Sequence, residues 1–218
     1  MSSTARSVTV DIVSDVVCPW CYVGKRRLEQ ALERLPKDFT VAVRWHPYEL
    51  NPGLPREGMD RREYCIRKFG SEEYAAQLYA NVAAHAAADG LPLDYQKIPR
   101  TPNTRPAHRL IWLAEREGHQ DALVNALFAA YFVEGRDVGD VEVLADVAAI
   151  AGFDRDRALA FLASGEGEHE IVAEERQAID AGVQGVPAFF VNGRFVFSGA
   201  QSPETIAQVI VAQAGRAA

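Results

Sequence analysis

A short β-branched run, Val8-Thr9-Val10-Asp11-Ile12-Val13, passes through Ser14-Asp15 and reaches Cys18-Pro19-Trp20-Cys21, from which a helical pattern departs. Two cysteines this close, at a strand-to-helix junction, constrain the fold more than any other feature of the chain. Val8 to Val13 reads as a strand. From Tyr22 to Leu35 the residues Val23, Leu28, Ala31, Leu32 and Leu35 fall near helical spacing. Lys25, Arg26, Arg27, Glu29 and Glu33 take the other faces, and Pro36 closes the helix. Thr40 to Leu50 is a second strand. Strand, helix and strand in so short a span predict a parallel β-α-β unit with a right-handed crossover.

Placement gives the cysteines their chemistry. A sulfur at the start of a helix faces unpaired backbone N–H groups and the positive end of the helix dipole, and both stabilise a thiolate. Cys18 is therefore the expected attacking sulfur. Cys21 follows one turn later on the same face, which puts the two Cα atoms roughly 5–6 Å apart, within disulfide range. Pro19 suits the first turn because its missing N–H has no helical partner there. Such a pair can attack a disulfide, resolve the mixed disulfide and pass electrons on. Spacing alone leaves two other readings open. One is half of a zinc site, completed by Cys65 with one of His46, His85, His108 or His119, although no second close pair exists. The other is a pair of packing thiols, for which a strand-to-helix junction is an odd place. On a β-α-β pattern the motif favours redox chemistry.

From Asp60 to Gly165 the chain offers only helical signals. Tyr74 to Ala88 is closed by Gly90 and Pro92, and Ala107 to Glu117 follows a loop punctuated by Pro99, Pro102 and Pro106. Ala122 to Glu134, Val141 to Ala151 and Arg155 to Ala163 come next, with Asp140 and Asp154 as N-caps and Gly152 as a stop. Glu168 to Ala181 is a further helix. Ala188 to Val191 and Arg194 to Phe197 then flank Asn192-Gly193 as a hairpin, and Ser202-Pro203-Glu204 opens a last helix. The order is β-α-β, a helical block, then α-β-β-α.

Composition narrows the function. With 218 residues, 48% hydrophobic and 24% charged, the chain can bury a substantial core. A net charge of -7 argues against a sequence-independent grip on nucleic acid or anionic membranes. Eighteen apolar residues never run together, and no secretory signal is visible, so a cytoplasmic location without a membrane partner is expected. Three cysteines are too few, and odd in number, for a disulfide-stapled scaffold. A disulfide here is expected to be chemistry.

Four stretches carry a resemblance to a known family: Ser14-Asp15-Val16-Val17-Cys18-Pro19-Trp20-Cys21-Tyr22, Trp45-His46-Pro47-Tyr48-Glu49-Leu50-Asn51-Pro52, Asn103-Thr104-Arg105-Pro106-Ala107-His108-Arg109, and Gly185-Val186-Pro187-Ala188-Phe189-Phe190-Val191. With the order of elements they span nearly the whole chain, which resembles the thioredoxin-fold oxidoreductases of the DsbA family and, more narrowly, their FrnE-like branch. The resemblance implies an α/β, thioredoxin-like fold with a large all-helical insertion: a thioredoxin-like domain of residues 1–56 and 166–218 and a helical domain of residues 57–165. It implies that Val186-Pro187 is a cis peptide facing the cysteines and that the backbone before the proline pairs with substrate. The local sequence fits a trans proline at a strand start equally well.

The expected activity is thiol–disulfide exchange on protein or small thiols, with Cys18 and Cys21 catalytic. Pro19, Trp20, Val186, Pro187, Asn103 and His108 are the candidate substrate-binding residues. Trp20 is expected to cover the disulfide at a partly exposed surface. Asn103, Thr104 and His108 open a helix, where a cap beside a partly exposed histidine is the simplest reading; the resemblance places them at a lip near the cysteines. Glu49 is expected to be a solvated strand-end carboxylate, and Cys65 a buried packing residue. No metal or organic cofactor is expected, with glutathione a candidate co-substrate, and the chain is read as a monomer or homodimer. Two rivals remain. Kappa-class glutathione transferases and hydroxychromene-carboxylate isomerases share the architecture, but their pattern has serine where Cys18 stands. A non-enzymatic, chaperone-like polypeptide binder is the second.

Overall fold

The computed structural model describes residues 6–215. β1 (Arg6–Ser14), α1 (Pro19–Leu32) and β2 (Phe39–Pro47) come first. They are followed by β3 (Met59–Asp60), α2 (Arg61–Phe69), α3 (Glu72–Ala88), β4 (Arg100–Thr101), α4 (Arg105–Glu117), α5 (Gln120–Phe132), α6 (Val141–Ile150) and α7 (Arg155–Ala163). α8 (Glu168–Asp180), β5 (Ala188–Val191), β6 (Arg194–Ser198) and α9 (Pro203–Ala214) complete the order. The main sheet runs β2-β1-β5-β6, with β1 parallel to β2 and antiparallel to β5, and with β5 and β6 paired as a hairpin. This is an α/β, thioredoxin-like sheet carrying a helical insertion between β2 and α8.

β1 is central and covered on both faces, which explains its nearly unbroken apolar run. Val8, Val10 and Ile12 join a core with Val23 and Leu28 of α1 and Ile206 and Ile210 of α9. Val13, pointing the other way, packs with Ala178 of α8, Val183 and Ala188. The helical insertion extends the first of these cores. Ile12 and Cys21 share one apolar cluster with Leu110, Leu127 and Leu144. Tyr22 stacks on Phe128 with ring centroids 5.0 Å apart, and Trp45 meets Phe128 edge-on at 6.5 Å. At the open edge of β2, Gln120 mimics a strand: it accepts from the Trp45 N–H and donates to the Trp45 carbonyl, both at 2.9 Å.

The caps expected at Asp140, Asp154 and Ser202 are present, each accepting from backbone N–H groups of its own first turn. Other boundaries moved. α1 begins at Pro19 and ends at Leu32, because the residues approaching Pro36 disfavour α geometry and close as tighter turns, Arg34 N–H to Ala31 and Leu35 N–H to Leu32. β2 stops at Pro47, short of the expected Leu50. Pro47 has no N–H to continue a ladder, and the next amides are taken elsewhere: Tyr48 donates to the Ser14 carbonyl, Glu49 to Glu175 and Leu50 to Asp15. The stretch expected to be purely helical also contains the two-residue pair β3–β4, too short to leave a periodic signal.

Candidate active site

Cys18 is the N-cap of α1, with extended backbone (φ −89°, ψ 111°), and Pro19 fills the first helical position. Cys21 therefore lies one turn inside the helix. Both are free thiols, and they come within 3.3 Å of each other. Cys18 is 5% exposed and Cys21 is 0% exposed, so of the two residues only Cys18 reaches the surface. Burial pushes the Cys21 thiol well above its ordinary range. The adjacent Cys18 raises it further, and hydrogen bonds from Ser14 and the Asp15 main chain oppose the rise.

The loop before β5 faces the pair. Val186–Pro187 is a cis peptide, and the Cys18 thiol donates to the Val186 carbonyl at 3.6 Å. α1 approaches this loop closely at Gly24, where an added Cβ would lie 3.1 Å from Pro187 Cγ and 3.5 Å from the Phe189 ring. Helix and loop are therefore held at a fixed spacing. Trp20 is half-buried, with its ring 5.3 Å from His85 of α3. Cys18, Pro19 and Trp20 together line a cavity of about 220 Å³, whose far wall comes from α2 and α3.

Residues 9–211 match the family model described as a DSBA-like thioredoxin domain. The chain belongs to this family. Among solved structures, the DSBA-like chain superposes on a probable DsbA oxidoreductase, SCO1869 from Streptomyces coelicolor, with a TM-score of 0.87 and 35% identity, over 96% of this chain and 90% of that one. The uncharacterized protein YwbO of Bacillus subtilis (strain 168) is 26% identical over 209 residues, 94% of this chain and 96% of the relative. The cytosolic disulfide reductase DsbM from Pseudomonas aeruginosa, also solved with GSH, shares the fold. In the structure without GSH the TM-score is 0.67 at 20% identity, over 96% of this chain and 100% of that one.

Two candidate residues of the DSBA-like chain, Asn103 and His108, neither line the cavity at Cys18 nor belong to the Val186–Pro187 loop that faces it. The Asn103 amide donates to the Leu54 carbonyl at 2.9 Å, and its oxygen accepts from the Arg105 N–H, so its side chain ties the entry to α4. His108, expected to be partly exposed, is buried at 3% because α4 turns that face toward Asp15 beneath the cysteine loop. Glu49, expected in solvent, is buried as well, because Arg105 reaches down from α4 to pair with it. Burial raises the Glu49 carboxyl while the Arg105 hydrogen bond and charge lower it, leaving a net rise.

The histidines weighed as zinc ligands are otherwise engaged: His46 with Asp11 and Glu174, His85 with Trp20, His108 beside Asp15, and His119 against Phe153. Cys65 packs with Tyr64 and Ala75. Among the described residues no group of three or more His, Cys, Asp or Glu side chains is placed to hold a metal ion. Sequence reasoning missed the far wall of the cavity, which holds Arg61, Tyr64, Lys68 and Tyr79. Nothing local marks these residues, because only the docking of α2 and α3 brings them opposite Cys18.

Proposed function

We propose that the chain catalyses thiol–disulfide exchange, with Cys18 as nucleophile and Cys21 as resolving thiol. The observation that carries this reading is the asymmetry of the pair: Cys18 at the helix N-cap, beside a cavity and the Val186 carbonyl, with Cys21 fully enclosed one turn behind it. In the reducing direction, the Cys18 thiolate attacks one sulfur of a substrate disulfide. A Cys18–substrate bond forms and the first substrate thiolate leaves. Cys21 then loses its proton and attacks the Cys18 sulfur, forming the Cys18–Cys21 disulfide and releasing the second thiol. Two electrons pass from protein to substrate, and the same steps run backward when the protein oxidises a dithiol. In this reading the backbone before Pro187 pairs with the substrate segment, and Trp20 covers the reacting pair. The redox equivalents reside in the disulfide, so the chemistry calls for no metal.

Trapping tests the reading. A Cys21→Ala variant should attack disulfide substrates, release one thiol and accumulate the mixed disulfide at Cys18, detectable by mass spectrometry, and Cys18→Ser should abolish it. No adduct at Cys18, together with no exchange by the wild-type chain on any model disulfide, would overturn the assignment. Transferase activity surviving Cys18→Ser would point instead to the glutathione-transferase chemistry of similar architectures.

A further inference from the structure

The wall opposite Cys18 has a charge pattern that the exchange chemistry does not require. The cavity of about 220 Å³ is lined chiefly by Val17, Trp20, Leu50, Phe69, Leu78 and Val82, and its charged groups are Arg61 and Lys68. Among the described residues no carboxylate lines it. In a chain of net charge -7, two cations beside the nucleophile without an acid stand out. Neither has an ion-pair partner among the described residues, whereas neighbouring Arg62 and Arg67 are paired with Glu72 and Glu63.

Arg61 is held by other means. Its Nη1 donates to Thr101 Oγ1 at 3.1 Å and to the Tyr131 hydroxyl at 3.4 Å, and its guanidinium lies 4.6 Å from the Tyr79 ring centroid and 5.5 Å from that of Tyr64. Aromatic faces and hydroxyls orient a guanidinium without neutralising it. A guanidinium carries five N–H donors in a fixed fork, and the contacts described use Nη1 alone. Lys68 is similar, donating to Asn51 Oδ1 at 3.0 Å with its ammonium 5.2 Å from the Tyr64 ring. Arg61 and Tyr79 also line a second cavity, of about 650 Å³, whose other charged lining residues are Arg62, Asp60, Glu72 and Asp94, so that the carboxylate-free wall is the one beside Cys18. The Tyr95 hydroxyl, on a residue of that second wall, is buried without a hydrogen-bond partner among the described residues.

We infer that Arg61, assisted by Lys68, is a carboxylate-binding subsite that selects thiol and disulfide substrates carrying a negative charge near the reacting sulfur. This rests on the exchange reading above and names its substrate class. A forked, half-buried guanidinium with no acid partner gains most from a planar carboxylate, which it binds in two parallel hydrogen bonds. The adjoining larger space accommodates the remainder of a peptide-sized substrate. The carboxylate has two sources: a small peptide thiol with free carboxylates, or an acidic residue flanking a protein cysteine.

Single-turnover kinetics separate these possibilities. The full-length reduced chain is mixed with oxidised glutathione, with the neutral bis(2-hydroxyethyl) disulfide, or with a peptide disulfide flanked by Glu or by Gln, and oxidation of the Cys18–Cys21 pair is followed by Trp20 fluorescence. Arg61→Gln is expected to raise the half-saturating concentration of charged substrates at least tenfold and Lys68→Gln about threefold, with the neutral disulfide within twofold of wild type and Arg61→Lys partly restoring binding. A loss confined to oxidised glutathione identifies the small-thiol source, and a loss confined to the Glu-flanked peptide identifies the protein source. Equal losses on charged and neutral substrates in variants of unchanged melting temperature, or no loss on either, overturn the subsite. Absence of exchange by the wild-type chain on all four substrates instead overturns the oxidoreductase reading.

Discussion

Nε2 of His108 stands 3.4 Å from Oδ1 of Asp15, with both side chains buried, yet the two do not form a hydrogen bond. The partners of Asp15 are main-chain groups. Oδ2 accepts from the Leu50 N–H at 2.8 Å, Oδ1 from the Val17 N–H at 3.4 Å, and the Asp15 carbonyl from the Cys18 N–H at 3.0 Å. One residue thereby fastens the segment entering the cysteine pair to the segment leaving β2, while His108 fills the space beneath.

Removal of the two side chains should therefore differ in cost. Asp15→Ala deprives buried amides of their acceptor and is expected to cost about 2–3 kcal/mol, whereas His108→Leu, which breaks no hydrogen bond of Nε2, should cost about 1 kcal/mol. Urea unfolding of the reduced proteins measures both. A larger loss for His108→Leu would show that the imidazole, and not the carboxylate, organises the loop.

Alkylation of the reduced chain should be strongly biased. Cys21 is fully buried and its thiol is pushed well above the ordinary range, so at pH 7.5 its reaction with iodoacetamide should run at least tenfold slower than that of a free model thiol. In a Cys18→Ser variant the Cys21 rate should rise, because Cys18 contributes to the displacement. Peptide mapping by mass spectrometry reads both rates, and a Cys21 rate equal to the model thiol would contradict the enclosed geometry.

On the far face of the sheet, His46 bridges Asp11 at 3.2 Å and Glu174 of α8 at 3.5 Å. Burial alone would lower its pKa, but hydrogen bonds and charge from the two carboxylates outweigh it and raise the group to about 9. A histidine raised on folding stabilises the protein fully below its ordinary value near 6.5, and the contribution is lost as the pH climbs through about 9. With the ring 31% exposed, the contribution is discounted to about 2 kcal/mol. Wild type should thus lose about 2 kcal/mol more than His46→Gln between pH 6 and pH 9.5 in denaturant titrations. Parallel pH profiles would remove the bridge as a stabilising element.

What was legible in the sequence follows the range of the interactions. The strand before Cys18, the Asn192-Gly193 hairpin and the caps at Asp140, Asp154 and Ser202 are encoded within a few residues, and each appears in place. The burial of His108 and Glu49 is not local, since both are enclosed by the packing of α4 against the loops after β1 and β2. The same holds for Arg61 and Lys68, whose place opposite Cys18 depends on where α2 docks. Arg109 belongs with them: its guanidinium is bound by the carbonyls of Phe161, Ser164 and Glu166 at 2.7–3.2 Å, fastening the return from α7 to α8. In the sequence it is one more basic residue on a helix.

Glu49 and Arg105 provide the sharpest test of that long-range packing. Arg105 Nε donates to Glu49 Oε1 at 2.5 Å, the Glu49 side chain is 1% exposed, and its Oε2 has no hydrogen-bond partner among the described residues. Arg105→Met would leave a buried carboxylate without its counter-ion, a loss of about 3–5 kcal/mol at neutral pH. The pH dependence identifies the cause. Burial already raises the Glu49 carboxyl above its ordinary 4.5, and removing Arg105 raises it further. An acid raised on folding binds its proton more tightly in the native state, so stability is retained at low pH and lost as pH rises above the ordinary carboxylate range. The deficit of Arg105→Met should be largest at pH 8 and shrink toward pH 4.5, and adding Glu49→Gln should recover much of it at pH 8. A deficit independent of pH, or no recovery in the double variant, would show that Arg105 acts through packing and not through the buried charge.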